Sequence, residues 1–157
     1  MAMTLSSAAF RHEGDIPSRH TCDGADLSPP LTFADVPNGA KSLILLCDDP
    51  DAPGGVWDHW VLYNLSPGTP GLPEGLPDAQ TYPDGSRTGK NSWGRFGYGG
   101  PCPPQGAHRY FFTLYALDTL LAVPAGATKR DVLAAAKGHI LASATLMGRY
   151  VRHQAGR

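Results

Sequence analysis

The chain has 157 residues and a mass of 16.6 kDa, a length that suits one domain able to bury a core without disulfide bonds. Its formal net charge of -1 excludes the strongly basic surface with which nucleic-acid-binding proteins meet phosphate backbones. Charged residues make up only 17%, whereas 19 glycines and 15 prolines are present. Because Gly and Pro favour turns over helices, we predict a helix-poor chain that forms a single domain over residues 1–157.

Two further features bear on location. Met1–Phe10 contains no basic stretch followed by an apolar run, as a signal peptide would, and no segment approaches the roughly 18 apolar residues of a membrane span. The three cysteines, Cys22, Cys47 and Cys102, are an odd set without CxxC spacing, which is more typical of a reduced compartment than of a disulfide framework or zinc site. We therefore predict a soluble, cytoplasmic protein with no transmembrane segment and no cofactor.

The first strong strand signals lie in the middle of the chain. Lys41–Cys47 is a continuous apolar run of strand length between turn-forming residues. Val56–Leu65 carries large apolar side chains on both faces, which is typical of an interior strand. Ser66–Gly106 is longer than an ordinary connection and rich in Gly and Pro, and its aromatic content favours an ordered, functional loop.

The last third of the chain holds the clearest strand and the predicted helix. Arg109–Leu117 is dense in aromatic and β-branched residues. A helix is predicted after Thr128, which caps it, with Asp131 in its first turn, and the pattern ends near Leu141. Ala144–Val151 is predicted as a last strand. Since strands and helices do not alternate regularly, we expect a mainly β, two-sheet antiparallel sandwich with one late helix and long Gly/Pro-rich loops.

Side chains suited to chemistry cluster in three segments, which are residues 49–53 (DPDAP), 58–60 (DHW) and 99–110 (GGPCPPQGAHRY). Strand alternation places His108 and Tyr110 on one face, and by the same rule His59 shares a face with Trp57 and Val61. Taken singly, each histidine fits a buried, hydrogen-bonded ring. Together with Asp51, the two histidines favour a ligand-binding site.

The donor groups in these segments indicate the class of ligand. Gly99 and Gly100 leave backbone N–H groups bare, although a structural turn explains the pair nearly as well. Two imidazoles, a phenol and open amides all donate hydrogen bonds, which suits phosphate, sulfate or carboxylate. Asp51 would repel such an anion unless it orients a histidine or meets an ammonium group. We therefore predict a small anion pocket at the mouth of an apolar layer.

Several separated motifs, in the same order, resemble the phosphatidylethanolamine-binding protein family in its bacterial, Raf kinase inhibitor-like branch. Beyond the segments above, they are residues 21–24 (TCDG), 28–31 (SPPL), 126–128 (GAT) and 138–142 (GHILA). The resemblance implies the two-sheet fold of that family, with a pocket at one end for phosphate or a phosphoryl head group. The ligand-binding positions carried over by motif are Asp51, His59, Gly100, Pro101, His108 and Tyr110.

The resemblance also implies a homodimer, and it implies that Cys22 and Cys102 lie close in space. A pH dependence follows from the histidines, because imidazoles have an ordinary pKa near 6.5 and donate best to an anion when protonated. Since a neutral ring still carries one N–H, anion affinity is expected to weaken rather than vanish as pH rises.

The leading hypothesis is a non-catalytic binding protein for a small anionic or phosphorylated ligand, which regulates a protein partner like a kinase or protease inhibitor. Eukaryotic members that bind Raf kinase continue past the last strand, whereas this chain stops soon after Arg152, which argues against kinase regulation. The alternative is a metal-dependent enzyme with Asp51, His59 and His108 as a two-histidine, one-carboxylate site. A third hypothesis makes Cys102 a nucleophile activated by a histidine.

Overall fold

The computed structural model describes residues 2–124 and 126–152. Its strands are β1 (Thr4–Ser6), β2 (Gly14–Asp15), β3 (Leu31–Ala34), β4 (Ser42–Asp49), β5 (Trp57–Leu65), β6 (Gly71–Leu72), β7 (Arg87–Thr88), β8 (His108–Leu117) and β9 (Ile140–Tyr150). A short 3-10 helix spans Ser18–His20, and the α-helix α1 spans Lys129–Ala136. The predicted single domain includes Met1, Ala125 and residues 153–157, which lie outside the described part of the chain.

The strands form two sheets. One has 3 strands in the order β1-β3-β6, and the other has 6 strands in the order β2-β9-β8-β4-β5-β7. Neighbouring strands are antiparallel except for β2 and β9, which run parallel. The antiparallel arrangement predicted from the sequence thus holds for the long strands, and the parallel pair is a short addition at one edge.

Two apolar clusters explain why the central strands are apolar on both faces. Leu43 and Leu45 of β4 pack with β8 and the smaller sheet in the first cluster, between the two sheets. Ile44 and Leu46 point the other way into a second cluster, which Val132 of α1 also enters. Because a sheet layer covers one face of β4 and the helix covers the other, this strand reads as a continuous apolar run.

The helix is shorter than the sequence predicted. Thr128 caps it, and Asp131 completes a reciprocal capping box, as expected. It ends at Ala136, however, because Gly138 adopts a φ of 84°, which turns the chain out of the helix. Leu141, predicted to lie near the helix end, belongs to β9 instead. The last strand therefore begins at Ile140 rather than at Ala144.

The long segment 66–106 contains only β6 and β7 as regular strands, and local hydrogen bonds hold much of the rest. For example, the Asn91 side chain accepts from the backbone N–H groups of Trp93 and Arg95 and donates to the Gly97 carbonyl. This agrees with the predicted ordered loop. Among the described helices, none is long and apolar enough to cross a membrane.

A disulfide joins Cys22 to Cys102, while Cys47 is free and buried in the core. The two paired residues lie close together, as the family resemblance implied. The odd number of cysteines, by contrast, predicted reduced thiols, and for Cys22 and Cys102 this prediction is wrong. Disulfide bonds are typical of proteins in oxidising compartments. The bond also contradicts the hypothesis that Cys102 is a nucleophile, since its sulfur is not a free thiolate.

Candidate functional site

Three neighbouring strands of the larger sheet bring polar groups to one end of the first apolar cluster. Because β4 is antiparallel to both β5 and β8, the end of β4 at Asp49 lies beside the starts of β5 and β8. A cavity of about 340 Å³ opens there. Its wall consists of Asp49, Ala52, Pro53, Trp57, His59, Trp93, Cys102, Pro103, Pro104, His108 and Tyr110.

A buried pair forms one side of the cavity. The Nδ1 atom of His108 lies 2.7 Å from Oδ2 of Asp49, and their side chains are only 8% and 5% exposed. The other oxygen of Asp49 accepts the backbone N–H of Asp51 at 2.8 Å. Because a carboxylate can only accept, Nδ1 of His108 carries a hydrogen and the other ring nitrogen, Nε2, is left for a ligand.

His59 is held in a similar way from the opposite side. Its Nδ1 donates to the Gly99 carbonyl at 2.6 Å, and the Gly99 N–H donates back to the His59 carbonyl at 3.0 Å. Burial lowers the pKa of His59 below its ordinary value. In the ligand-free protein, the His59 ring is therefore mainly neutral at neutral pH, and its hydrogen is on Nδ1.

A break in strand alternation turns His59 into the cavity. Cys47 pairs with Trp60 and Asp48 pairs with Asp58, so His59 is an extra residue in β5. Trp60 packs between the sheets, whereas Val61 joins the cluster beneath α1. The predicted shared face is therefore wrong for Val61, whereas Trp57 and His59 do lie together in the cavity wall. Sequence alternation gave no sign of this irregularity, which depends on the pairing with β4.

Tyr110 stands near both imidazoles. Its ring centroid lies 5.2 Å from that of His59, edge-on, and 6.5 Å from that of His108, nearly stacked. The hydroxyl is buried and makes no well-formed hydrogen bond within the part of the chain that the structure describes, although the Asp49 carboxylate lies close to it. Burial and the nearby Asp49 carboxylate raise the pKa of Tyr110 well above its ordinary value. The phenol therefore remains a neutral hydrogen-bond donor.

Asp51 does not line the cavity, although sequence motifs placed it there. Its carboxylate accepts three hydrogen bonds from Arg109, one from the backbone N–H and two from the guanidinium, at 2.8 to 2.9 Å. These bonds lower the pKa of Asp51 to about 2. Asp49 orients the histidine instead. The missed signal was the alternation of β4, which carries Leu45 and Cys47 on the inner face and so predicts Asp49 there too.

Gly100 and Pro101 lie behind the cavity wall rather than in it. The Gly100 N–H donates to Oδ1 of Asp26 at 2.9 Å, and the Pro101 carbonyl accepts from the N–H of Cys22 at 3.1 Å. A Cβ atom at Gly100 would collide with the His20 carbonyl, so glycine is required for this close approach. Their contacts thus support a role in fastening the wall to the loop around Cys22.

The rest of the wall is aromatic and proline-rich. The Trp93 ring lies 5.0 Å from His59 and 5.5 Å from Trp57, edge-on in both cases. Arg95 rests against the Trp93 ring, 5.6 Å from its centroid, but does not line the cavity. The polar groups at the inner end are therefore surrounded by apolar surface, a combination found in small-molecule sites.

The geometry does not support the metal-site alternative. The Asp51 carboxylate is engaged by Arg109 and does not line the cavity that His59 and His108 share. Within residues 2–124 and 126–152, no group of three His, Cys, Asp or Glu side chains is arranged to hold a metal ion.

A larger depression, of about 710 Å³, lies toward the other end of β5, beside Asn64, Arg87 and the loop around Leu121. The Asn64 amide there is occupied by the backbone of Leu121, to which it donates at 2.9 Å and from which it accepts at 2.8 Å. Because the Asn64 amide is already bonded to the Leu121 backbone, this depression is the weaker candidate for a ligand site.

Comparisons with known proteins agree with this architecture. Residues 6–151 match the family model described as Phosphatidylethanolamine-binding protein. A UPF0098 protein of Methanothermobacter thermautotrophicus is 57% identical over 150 residues, which cover 96% of this chain and 99% of that protein. The matched span contains all of the motifs on which the family resemblance depends.

Two crystal structures superpose over nearly the whole chain. CT736 of Chlamydia trachomatis, a homolog of phosphatidylethanolamine-binding protein, has a TM-score of 0.90 at 45% identity and covers 97% of this chain and 99% of its own. YbcL of Escherichia coli, a member of the mammalian PEBP family, has a TM-score of 0.89 at 28% identity, with coverages of 98% and 100%. These superpositions confirm the predicted mainly β, two-sheet fold.

Proposed function

The chain belongs to the phosphatidylethanolamine-binding protein family, and we propose that it is a non-catalytic binding protein for a small oxyanion such as phosphate or a phosphoryl head group. The observation that carries this proposal is the buried Tyr110 hydroxyl, which belongs to the cavity wall and lies near the Asp49 carboxylate but makes no well-formed hydrogen bond among the described residues. Leaving a buried hydroxyl unpaired costs about 1 to 3 kcal/mol. A bound oxyanion would remove that cost.

The neighbouring groups support the same ligand class. His59 and His108 reach the cavity with Nδ1 already bonded, so that a protonated ring directs its second N–H at the ligand. Within the proposed site, His59, His108 and Tyr110 contact the ligand, and Asp49 orients His108. Asp51, Gly100 and Pro101 support the wall that holds them. Titration of inorganic phosphate by calorimetry tests this assignment directly.

Replacing Tyr110 with phenylalanine is expected to separate binding from stability. Tyr110→Phe removes a buried hydroxyl that makes no well-formed hydrogen bond, so the free energy of unfolding of the free protein should stay the same or rise by about 1 kcal/mol. Phosphate affinity should fall, because one neutral donor is lost while the ring still packs. Denaturant unfolding and calorimetry measure the two effects. A variant that binds phosphate as the wild type does would contradict the role of Tyr110.

Tyr115→Phe provides a matched control. Tyr115 lies on β8 but is partly buried against the second apolar cluster, away from the cavity. This variant should bind phosphate with wild-type affinity. A similar loss of affinity in both variants would mean that the Tyr110 effect is not specific to the cavity.

We also propose that the ligand-bound protein acts on a protein partner, in the manner of inhibitor-like modules, and that the chain forms a homodimer. Both proposals come from the family resemblance, and the low net charge of -1 makes self-association electrostatically easy. Light scattering should give twice the monomer mass at micromolar concentration. A monomer mass over the whole accessible range would rule out the homodimer.

A further inference from the structure

The hydrogen-bond directions in the cavity restrict what it offers to a ligand. A neutral imidazole has a single N–H. His59 uses its N–H on the Gly99 carbonyl, and His108 uses its N–H on Asp49. The Nε2 atoms of both neutral rings are therefore acceptors. Among the side chains of the described wall, the remaining O–H and N–H donors are the Tyr110 hydroxyl, which lies near the Asp49 carboxylate, and the indole N–H groups of Trp57 and Trp93, and all of these donors are neutral.

The charges around the cavity point in the same direction. Its wall contains the Asp49 carboxylate but neither Lys nor Arg. Arg109, the neighbour of His108, is committed to Asp51. Lys129 is held between Asp48 and Asp58, at 3.0 and 2.7 Å. Positive charge inside the cavity must therefore come from protonation of a histidine.

From these two observations we infer that the cavity selects oxyanions of single negative charge, such as a phosphodiester, a sulfonate or dihydrogen phosphate, and rejects dianions. This inference rests on the proposed function. One imidazolium at His108 balances Asp49, and a monoanion then leaves one net negative charge in the cavity. A dianion leaves two, without a fixed cation nearby. Dihydrogen phosphate has a further advantage, because its O–H can donate to a bare Nε2.

Methanesulfonate and sulfate form a suitable pair of probes, since both are tetrahedral at sulfur and neither changes its charge between about pH 5.5 and 8. At constant ionic strength, we expect methanesulfonate to bind about tenfold or more tightly than sulfate, because an additional charge within several Å of Asp49 is strongly repelled. Calorimetric titration gives both dissociation constants. Equal or tighter binding of sulfate would overturn charge selection and leave the anion site intact. No binding of either probe or of phosphate would overturn the proposed function itself.

Asp49→Asn tests the origin of the selectivity. The substitution removes the negative charge from the wall, so the ratio of sulfate to methanesulfonate dissociation constants should fall several-fold. Asp118→Asn removes the same charge from an exposed pair with His139 and should leave the ratio unchanged. An unchanged ratio in folded Asp49→Asn would overturn the assignment. The wild-type comparison of the two probes remains decisive if the Asp49→Asn substitution prevents folding.

Arg95 requires its own control, because it lies against Trp93 of the wall. Arg95→Gln should not change the selectivity ratio. Loss of sulfate binding in this variant, with strong sulfate binding in the wild type, would show that Arg95 supplies a cation and would overturn the inference. Titrations near pH 5.5 with glycerophosphoethanolamine and with inorganic phosphate, each of which then carries one negative charge on its phosphate group, identify the source of the ligand. Tighter binding of glycerophosphoethanolamine indicates a lipid head group, and tighter binding of inorganic phosphate indicates free phosphate.

Discussion

Breaking the disulfide between Cys22 and Cys102 should lower the free energy of unfolding by about 3 to 5 kcal/mol. The bond links residues separated by 80 positions, and a cross-link over a loop of that length removes much conformational freedom from the unfolded chain. For a domain of this size, the loss corresponds to a decrease in Tm of roughly 10 °C. Thermal unfolding of the oxidised wild type and of the Cys22→Ser/Cys102→Ser double variant measures the difference.

Reduced wild-type protein is the matched control, because it keeps both cysteine side chains and lacks only the bond. It should unfold at nearly the same temperature as the double variant. Identical Tm values for oxidised and reduced wild type would contradict the prediction.

The cavity should survive the loss of this bond. The loops that carry the two cysteines are also joined by the Cys22 N–H to the Pro101 carbonyl, at 3.1 Å, and by the Tyr98 hydroxyl to the His20 carbonyl, at 2.6 Å. We therefore expect a folded reduced protein at moderate temperature. Its affinity for phosphate should change far less than its stability does.

The strands and the helix cap were predictable because each is determined by residues that are adjacent in the sequence. Lys41–Cys47 reads as a strand from its apolar run alone, and Thr128 with Asp131 reads as a helix start from side-chain chemistry. The helix end was missed because a single residue, Gly138, reverses the backbone within an otherwise helical pattern. A glycine inside such a pattern permits both outcomes, and the pairing of β9 with β8 decides between them.

The site was predictable in composition but not in detail. His59, His108 and Tyr110 all line the cavity, as the motifs suggested, whereas the carboxylate there belongs to Asp49. Choosing between Asp49 and Asp51 requires knowing that Arg109 lies beside Asp51, which depends on how the loop after β4 meets β8. The turn of His59 into the cavity likewise depends on cross-strand pairing.

The directions of the histidine hydrogen bonds change the expected pH dependence. Sequence reasoning expected a neutral ring to go on donating to the anion, but both single N–H groups are committed to Gly99 and Asp49. Affinity for an anion should therefore depend strongly on protonation. Burial lowers the pKa of His59, so this ring accepts a proton only at lower pH, whereas His108 donates to the Asp49 carboxylate, which stabilises positive charge on that ring.

Replacing His108 with alanine should weaken methanesulfonate binding by about 1.5 to 3 kcal/mol, the range for hydrogen bonds to charged groups. In the wild type, affinity should rise as pH falls from about 8 to 5.5, with uptake of about one proton per anion, because a bound anion favours the imidazolium form. The titratable and charged groups around His108 are Asp49, Asp51, His59, Arg109, Tyr110 and, on β9, Arg149 and Tyr150. None of them supplies an uncommitted positive charge inside the wall.

Calorimetry in buffers of different ionisation enthalpy measures affinity and proton uptake together. His108→Ala should lose most of the pH dependence along with the proton uptake, whereas His139→Ala, at an exposed pair with Asp118, should behave as the wild type does. Thermal unfolding shows whether the His108 variant is folded, since Asp49 loses its partner there. Wild-type affinity that is flat over this pH range and unchanged by His108→Ala would show that the anion does not bind at these residues.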